Sequence, residues 1–99
     1  MSYIELYKGN SKTITCDVSG LTDLSGYTGT LTVKKGPDET IIIEKLGSID
    51  SSLQLRFDIG YTDSSVEPYS YIYDITIDNS TNRYTLIQDN FIVLDSVRY

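Results

Sequence analysis

Apolar and polar residues alternate with a period of two along most of this chain. Ile14, Cys16 and Val18 share one side of residues 12–18, with Thr13, Thr15 and Asp17 on the other. Leu53, Leu55, Phe57 and Ile59 alternate with Gln54, Arg56 and Asp58 in the same way. Tyr71, Tyr73, Ile75 and Ile77 alternate with Ser70, Asp74, Thr76 and Asp78. A strand turns successive side chains to opposite faces, so this spacing predicts antiparallel strands with one wet face. No window has the three–four spacing of an amphipathic helix, and the chain contains no alanine.

Seven strands are predicted, over residues 3–7, 12–18, 28–35, 40–46, 52–59, 69–78 and 83–97. The last should bend or bulge at Asp89-Asn90. Between them lie turns at 8–11 and 47–51, a loop rich in Gly, Ser and Asp at 19–27, and a polar crossover at 61–68. Gly36-Pro37-Asp38 predicts a tight hairpin turn, since Pro fixes one φ and Gly permits a positive one. Residues 79–82 close a second hairpin.

Strands wetted on one face must bury the other, and a second sheet does this. The fold class expected is all-β, an immunoglobulin-like antiparallel β-sandwich of about seven strands. A small open barrel is the alternative reading of the same signals. With 99 residues there is room for one core, so residues 1–99 are expected to form a single domain. Many such sandwiches carry a tyrosine near the start of strand F whose hydroxyl bonds back across a corner. Glu67-Pro68-Tyr69-Ser70-Tyr71 has that form, with Tyr71 in the corner. Tyr73 then stands where antibody domains place a cysteine, and Cys16 in the second strand should face it in the core without a disulfide.

Composition narrows the chemistry. The net charge is −6, from 8 Lys+Arg against 14 Asp+Glu, which argues against nucleic acid or an anionic membrane as partner. Histidine is absent, so serine–histidine and cysteine–histidine catalysis and histidine metal sites are excluded. The lone Cys16 lies on an apolar strand side, unlike a reactive thiol, and it suits assembly in a reducing cytoplasm. No signal peptide or membrane helix is expected from the first residues. Asp17, Asp23, Asp63 and Asp89 fall in or beside loops, where carboxylates can gather on calcium, but no loop has regular ligand spacing. No catalytic residue, cofactor or metal site is predicted, and the chain is expected not to be an enzyme. Nine tyrosines with no tryptophan suit half-buried positions and protein contacts.

A series of short motifs resembles the immunoglobulin-like domains of bacteriophage virions, found at the N-terminus of baseplate upper proteins and in head-fibre or auxiliary capsid proteins. The motifs are Lys8-Gly9-Asn10-Ser11-Lys12-Thr13-Ile14, Asp23-Leu24-Ser25-Gly26-Tyr27-Thr28 and Leu31-Thr32-Val33-Lys34-Lys35. Phe57-Asp58-Ile59, residues 68–75 and residues 86–93 with Phe91-Ile92-Val93 complete them. The chain departs from the family at Tyr69 and Asn90, where glycine is common. The resemblance implies a virion structural protein assembled in the host cytoplasm: an auxiliary (decoration) capsid or head-associated protein, with a baseplate or tail module as the alternative. Its implied partners are other virion proteins, the major capsid protein foremost, with self-association as a further option.

Two regions are candidates for docking. Ile42, between Ile41 and Ile43, puts an apolar residue where a polar one is expected, so it either faces a partner or lies in a strand buried on both sides. The chain ends are the other region, with Tyr3 and Tyr7 at one end and Val97 and Tyr99 at the other. A reading from another class is a carbohydrate- or receptor-binding adhesin using loop tyrosines Tyr27, Tyr61 and Tyr69 as platforms.

Overall fold

The computed structural model describes residues 3–21, 24–51 and 53–95. Eight strands form two sheets: β1 (Ile4–Tyr7), β2 (Lys12–Asp17), β3 (Thr28–Lys34), β4 (Ile41–Leu46), β5 (Ser48–Ser51), β6 (Gln54–Ile59), β7 (Tyr69–Asp78) and β8 (Arg83–Leu94). One sheet has the order β1-β8-β7-β3-β4 and the other β2-β6-β5. The chain is a β-sandwich with the immunoglobulin-like arrangement, in which β7 takes the place of strand F and β2 that of strand B. The alternating residues of β3, β6 and β7 interleave between the layers. Leu31, Val33, Phe57, Ile77 and Phe91 are wholly buried there.

Four details differ from the sequence reading. Residues 48–51 are a strand rather than part of a turn, paired antiparallel with β6, where Ile49 stands opposite Leu55. The pairing of β1 with β8 is parallel, with Ile4 opposite Phe91, so the sandwich is not wholly antiparallel. The irregularity in β8 falls at Leu86 rather than Asp89-Asn90: Ile75 pairs with Ile87, while the next residue, Thr76, pairs with Thr85. Leu86 is therefore the extra residue that lets Tyr84, opposite Ile77, and Ile87, opposite Ile75, fall on the same face. Finally, Gly36 does not use a positive φ. That conformation falls to Gly9, Gly20 and Gly26 among the described residues.

The hairpin at Gly36-Pro37-Asp38 closes with the Glu39 N–H donating to the Gly36 carbonyl at 3.1 Å, with Pro37 in the position its fixed φ favours. At the second hairpin the Asn79 side-chain oxygen accepts from the Thr81 and Asn82 N–H groups. No described residue other than glycine has a positive φ, so Tyr69 and Asn90 stand where glycine is common without needing glycine's freedom.

Candidate functional site: surfaces for protein contact

The strand F corner sets one end of the sandwich. The Tyr71 hydroxyl donates to the Glu67 carbonyl at 2.6 Å, and its ring is buried. Burial pushes the Tyr71 hydroxyl above the usual tyrosine range, with the Glu67 charge adding to the effect. Beside it, Lys35 pairs with Glu67 at 2.7 Å and lies 4.9 Å from the centre of the Tyr69 ring. The Tyr69 and Tyr71 rings tilt against each other at 5.1 Å.

That arrangement bears on the sugar-platform reading. Tyr69 has a cation over its ring, while Tyr27 is half-buried with its ring 6.4 Å from that of Tyr84. Tyr27 adjoins Thr28, which pairs with Asp78 at the far end of β7 from Tyr69. A strand rises about 3.3 Å per residue, so the two rings sit roughly 30 Å apart and share no platform.

Cys16 and Tyr73 both line a cleft of about 370 Å³ between the two sheets, together with Tyr3, Ile14, Ile75 and Ile87. Tyr73 is buried, its ring edge-on to Phe91 at 6.4 Å. Cys16 is only half-buried, not a full core residue, because β2 is the edge of its sheet and the cleft opens beside it. Burial, and then the neighbouring Asp17 charge, push the Cys16 thiol above its ordinary pKa.

The opposite side of the sandwich carries the other feature. There β4 ends the larger sheet and β5 the smaller, with Gly47 between them. Ile41, Ile42, Leu46 and Ile49 are all exposed, Leu46 at 72%. Val33 pairs with Ile43 but Lys34 with Ile41, which makes Ile42 the extra residue of a bulge. Ile42 is thus exposed, and the strand is not buried on both sides. Tyr7 is exposed at the end of β1 and Tyr3 just before its start, while Val97 and Tyr99 lie outside the described residues.

Of the four candidate aspartates, Asp23 lies outside the described residues, and Asp63 is committed. Burial works against the Asp63 charge, but the Gly60 N–H at 2.8 Å and Lys45 at 3.0 Å outweigh it and hold the carboxyl below the usual range. No group of three acidic or cysteine side chains among the described residues is placed to hold a metal. Sequence reasoning overlooked Ser64. It is fully buried, and its hydroxyl donates to the Asn10 carbonyl at 2.6 Å, tying the crossover to the β1–β2 turn. A serine in a polar loop gives no local sign of this.

No protein-family model matches this sequence, and no curated protein does. Solved structures are similar in fold. The immunoglobulin-like domain of mouse leukocyte-associated immunoglobulin-like receptor 1, seen as a strand-swapped dimer, superposes with a TM-score of 0.57 at 19% identity. The likeness covers 95% of this chain and 90% of that one. An extracellular domain of the voltage-gated sodium channel β4 subunit, described in parallel homodimers that explain its role in cell–cell adhesion, gives 0.59 at 13% identity. There 97% of this chain and 92% of that one are covered. A structure from work on multimeric cell-adhesive interactions of the same channel's β subunits gives 0.52 at 11%, covering 96% and 91%. At these identities the likeness establishes the fold: an immunoglobulin-like β-sandwich.

Proposed function

We propose that this chain is a non-catalytic structural module of a bacteriophage particle, a head-associated auxiliary protein that docks on the major capsid protein through the β4–β5 edge. The observation that carries the docking is the group of exposed aliphatic side chains there, Ile41, Ile42, Leu46 and Ile49, which the core does not use. Exposed apolar residues gathered on one edge favour a protein partner. The particle setting is supported by the run of motifs from Lys8-Gly9-Asn10 to Phe91-Ile92-Val93 that resembles virion domains. Repeated contacts on a symmetric shell gain from multivalency, so each interface can be small.

Mass spectrometry of purified particles tests the setting, with the protein expected as a stoichiometric component. Its absence from intact particles overturns the reading. Leu46→Asp is expected to leave the domain folded and to prevent its incorporation.

The second reading is that the same edge meets another copy of this chain. Its support is that similar folds are described as homodimers in cell adhesion. Sedimentation across a concentration series separates the two, since self-association makes the apparent mass rise with concentration.

A further inference from the structure

Away from the β4–β5 edge, two strands have open flanks on the same side of the sandwich. Among the described residues β2 has β6 as its single neighbour. β1 pairs with Phe91–Leu94 of β8, and among the described residues the Arg83–Asn90 part of β8 is bonded to β7 alone. Between these flanks lies the cleft of about 370 Å³ floored by Ile14, Cys16, Tyr73, Ile75 and Ile87. Ile87 and Cys16 are half-buried although both point between the sheets.

The rim is acidic. Asp17 borders the cleft at the end of β2, its exposed side chain turned to the outer face beside Gln54. Asp89 stands opposite Tyr73 in the β7–β8 pairing, which places both side chains on the inward face. Its charge is close enough to raise the Tyr73 hydroxyl pKa, after the effect of burial. One Asp89 oxygen accepts from the Asn90 N–H at 2.7 Å, and Asp17 accepts from the Gln54 amide at 2.8 Å. Among the described residues no Lys or Arg lines the cleft. An inward-pointing charge on an open strand flank is a device against indiscriminate pairing. It disfavours a wholly apolar strand, and it disfavours a second copy of a chain whose net charge is −6. A strand whose outward residues are cations meets Asp17 with attraction instead.

We propose that this cleft receives an extended segment of a partner protein, added as a fourth strand beside β2, with apolar side chains alternating into the cleft and a Lys or Arg on its outward side meeting Asp17. Main-chain hydrogen bonds to β2 supply affinity, and the alternate side chains supply selectivity. The inference rests on the reading of the chain as a protein-binding module, but not on its place in a particle.

Cys16 is a reporter inside the site. The full chain is alkylated with a maleimide in the presence of either of two synthetic peptides the length of β2. One alternates valine with lysine, and the other has the same composition with the valines grouped at one end. The alternating peptide is expected to slow Cys16 modification several-fold, and the grouped one to leave it unchanged. Asp17→Lys, at an exposed position, is expected to weaken that protection about tenfold, whereas Asp74→Lys on the outer face of the larger sheet is not. Equal effects of the two peptides, or none from either, overturn the proposal. So does protection that grows with the protein's own concentration in the absence of peptide, which would make a second copy the occupant. The assay uses no particles: protection by the alternating peptide with the protein missing from virions would uphold the cleft and reject the particle reading.

Discussion

The Gly47 N–H donates to the Gly29 carbonyl at 2.9 Å, where the chain leaves the larger sheet for the smaller. Both glycines press on β6. A Cβ at Gly47 would come within 2.6 Å of the Phe57 ring, and one at Gly29 within 2.9 Å of a Leu55 methyl. The crossing of the chain between layers depends on this close approach. Gly47→Ala is expected to cost about 1–3 kcal/mol, as overpacking of a filled core does. Gly29→Ala should cost less, because a leucine methyl can turn away more easily than a buried ring. Urea denaturation of the two variants checks the order.

Tyr71→Phe keeps the ring and removes the bond to Glu67. A loss of about 1 kcal/mol is expected, the usual net worth of one such bond. The fold and the far-ultraviolet spectrum should be unchanged.

The alkaline limb follows from the same residue and from Tyr73. Burial raises both hydroxyl pKa values. Their contribution to stability is fully present below the unfolded tyrosine value of about 10 and is lost as pH rises through the higher folded values. Alkaline unfolding is therefore expected above about pH 10, with part of the tyrosinate absorbance appearing only as the fold opens.

Asp63 contributes to the acid limb: burial works against its charge, but Gly60 and Lys45 hold it below the usual range. A depressed carboxyl stabilises the fold above its unfolded pKa, about 3.9, and that stability disappears as pH falls through the folded value. Asp63→Asn should lower stability at neutral pH by about 0.5–1 kcal/mol and flatten the loss below about pH 4. Denaturant midpoints measured against pH distinguish the variant from the parent chain.

Leu46→Asp and Ile42→Lys alter exposed positions. Each is expected to change stability by no more than about 0.5 kcal/mol, so any loss of binding reports on the surface rather than the fold. Thermal melts check this before any particle assay.

Ser64→Ala removes the buried hydroxyl that reaches Asn10 and leaves that carbonyl short of a partner. A cost of about 1–3 kcal/mol is expected, measurable by the same denaturation.

Most strands were legible in the order of residues because a half-buried strand writes its two faces into alternate positions. The runs Leu53 to Ile59 and Tyr71 to Ile77 carry that pattern, and the corner role of Tyr71 follows from its place just after Pro68. The bulge at Leu86 is also written there, as the switch of apolar phase between Leu86 and Ile87, while Asp89-Asn90 has turn chemistry that the strand overrides. Other features have no local signature. Ser48-Ile49-Asp50-Ser51 has little alternation and is a strand because β6 offers it an edge. The parallel seat of β1 on β8 joins residues at opposite ends of the described chain, so only packing chooses it. The candidate sites belong to this second group. Whether Ile42 is covered or bare, and whether Cys16 lies in the core or on an open cleft, depends on which strands end each sheet. Composition and periodicity determine the faces of a strand; which strands become edges is decided when the sheets assemble.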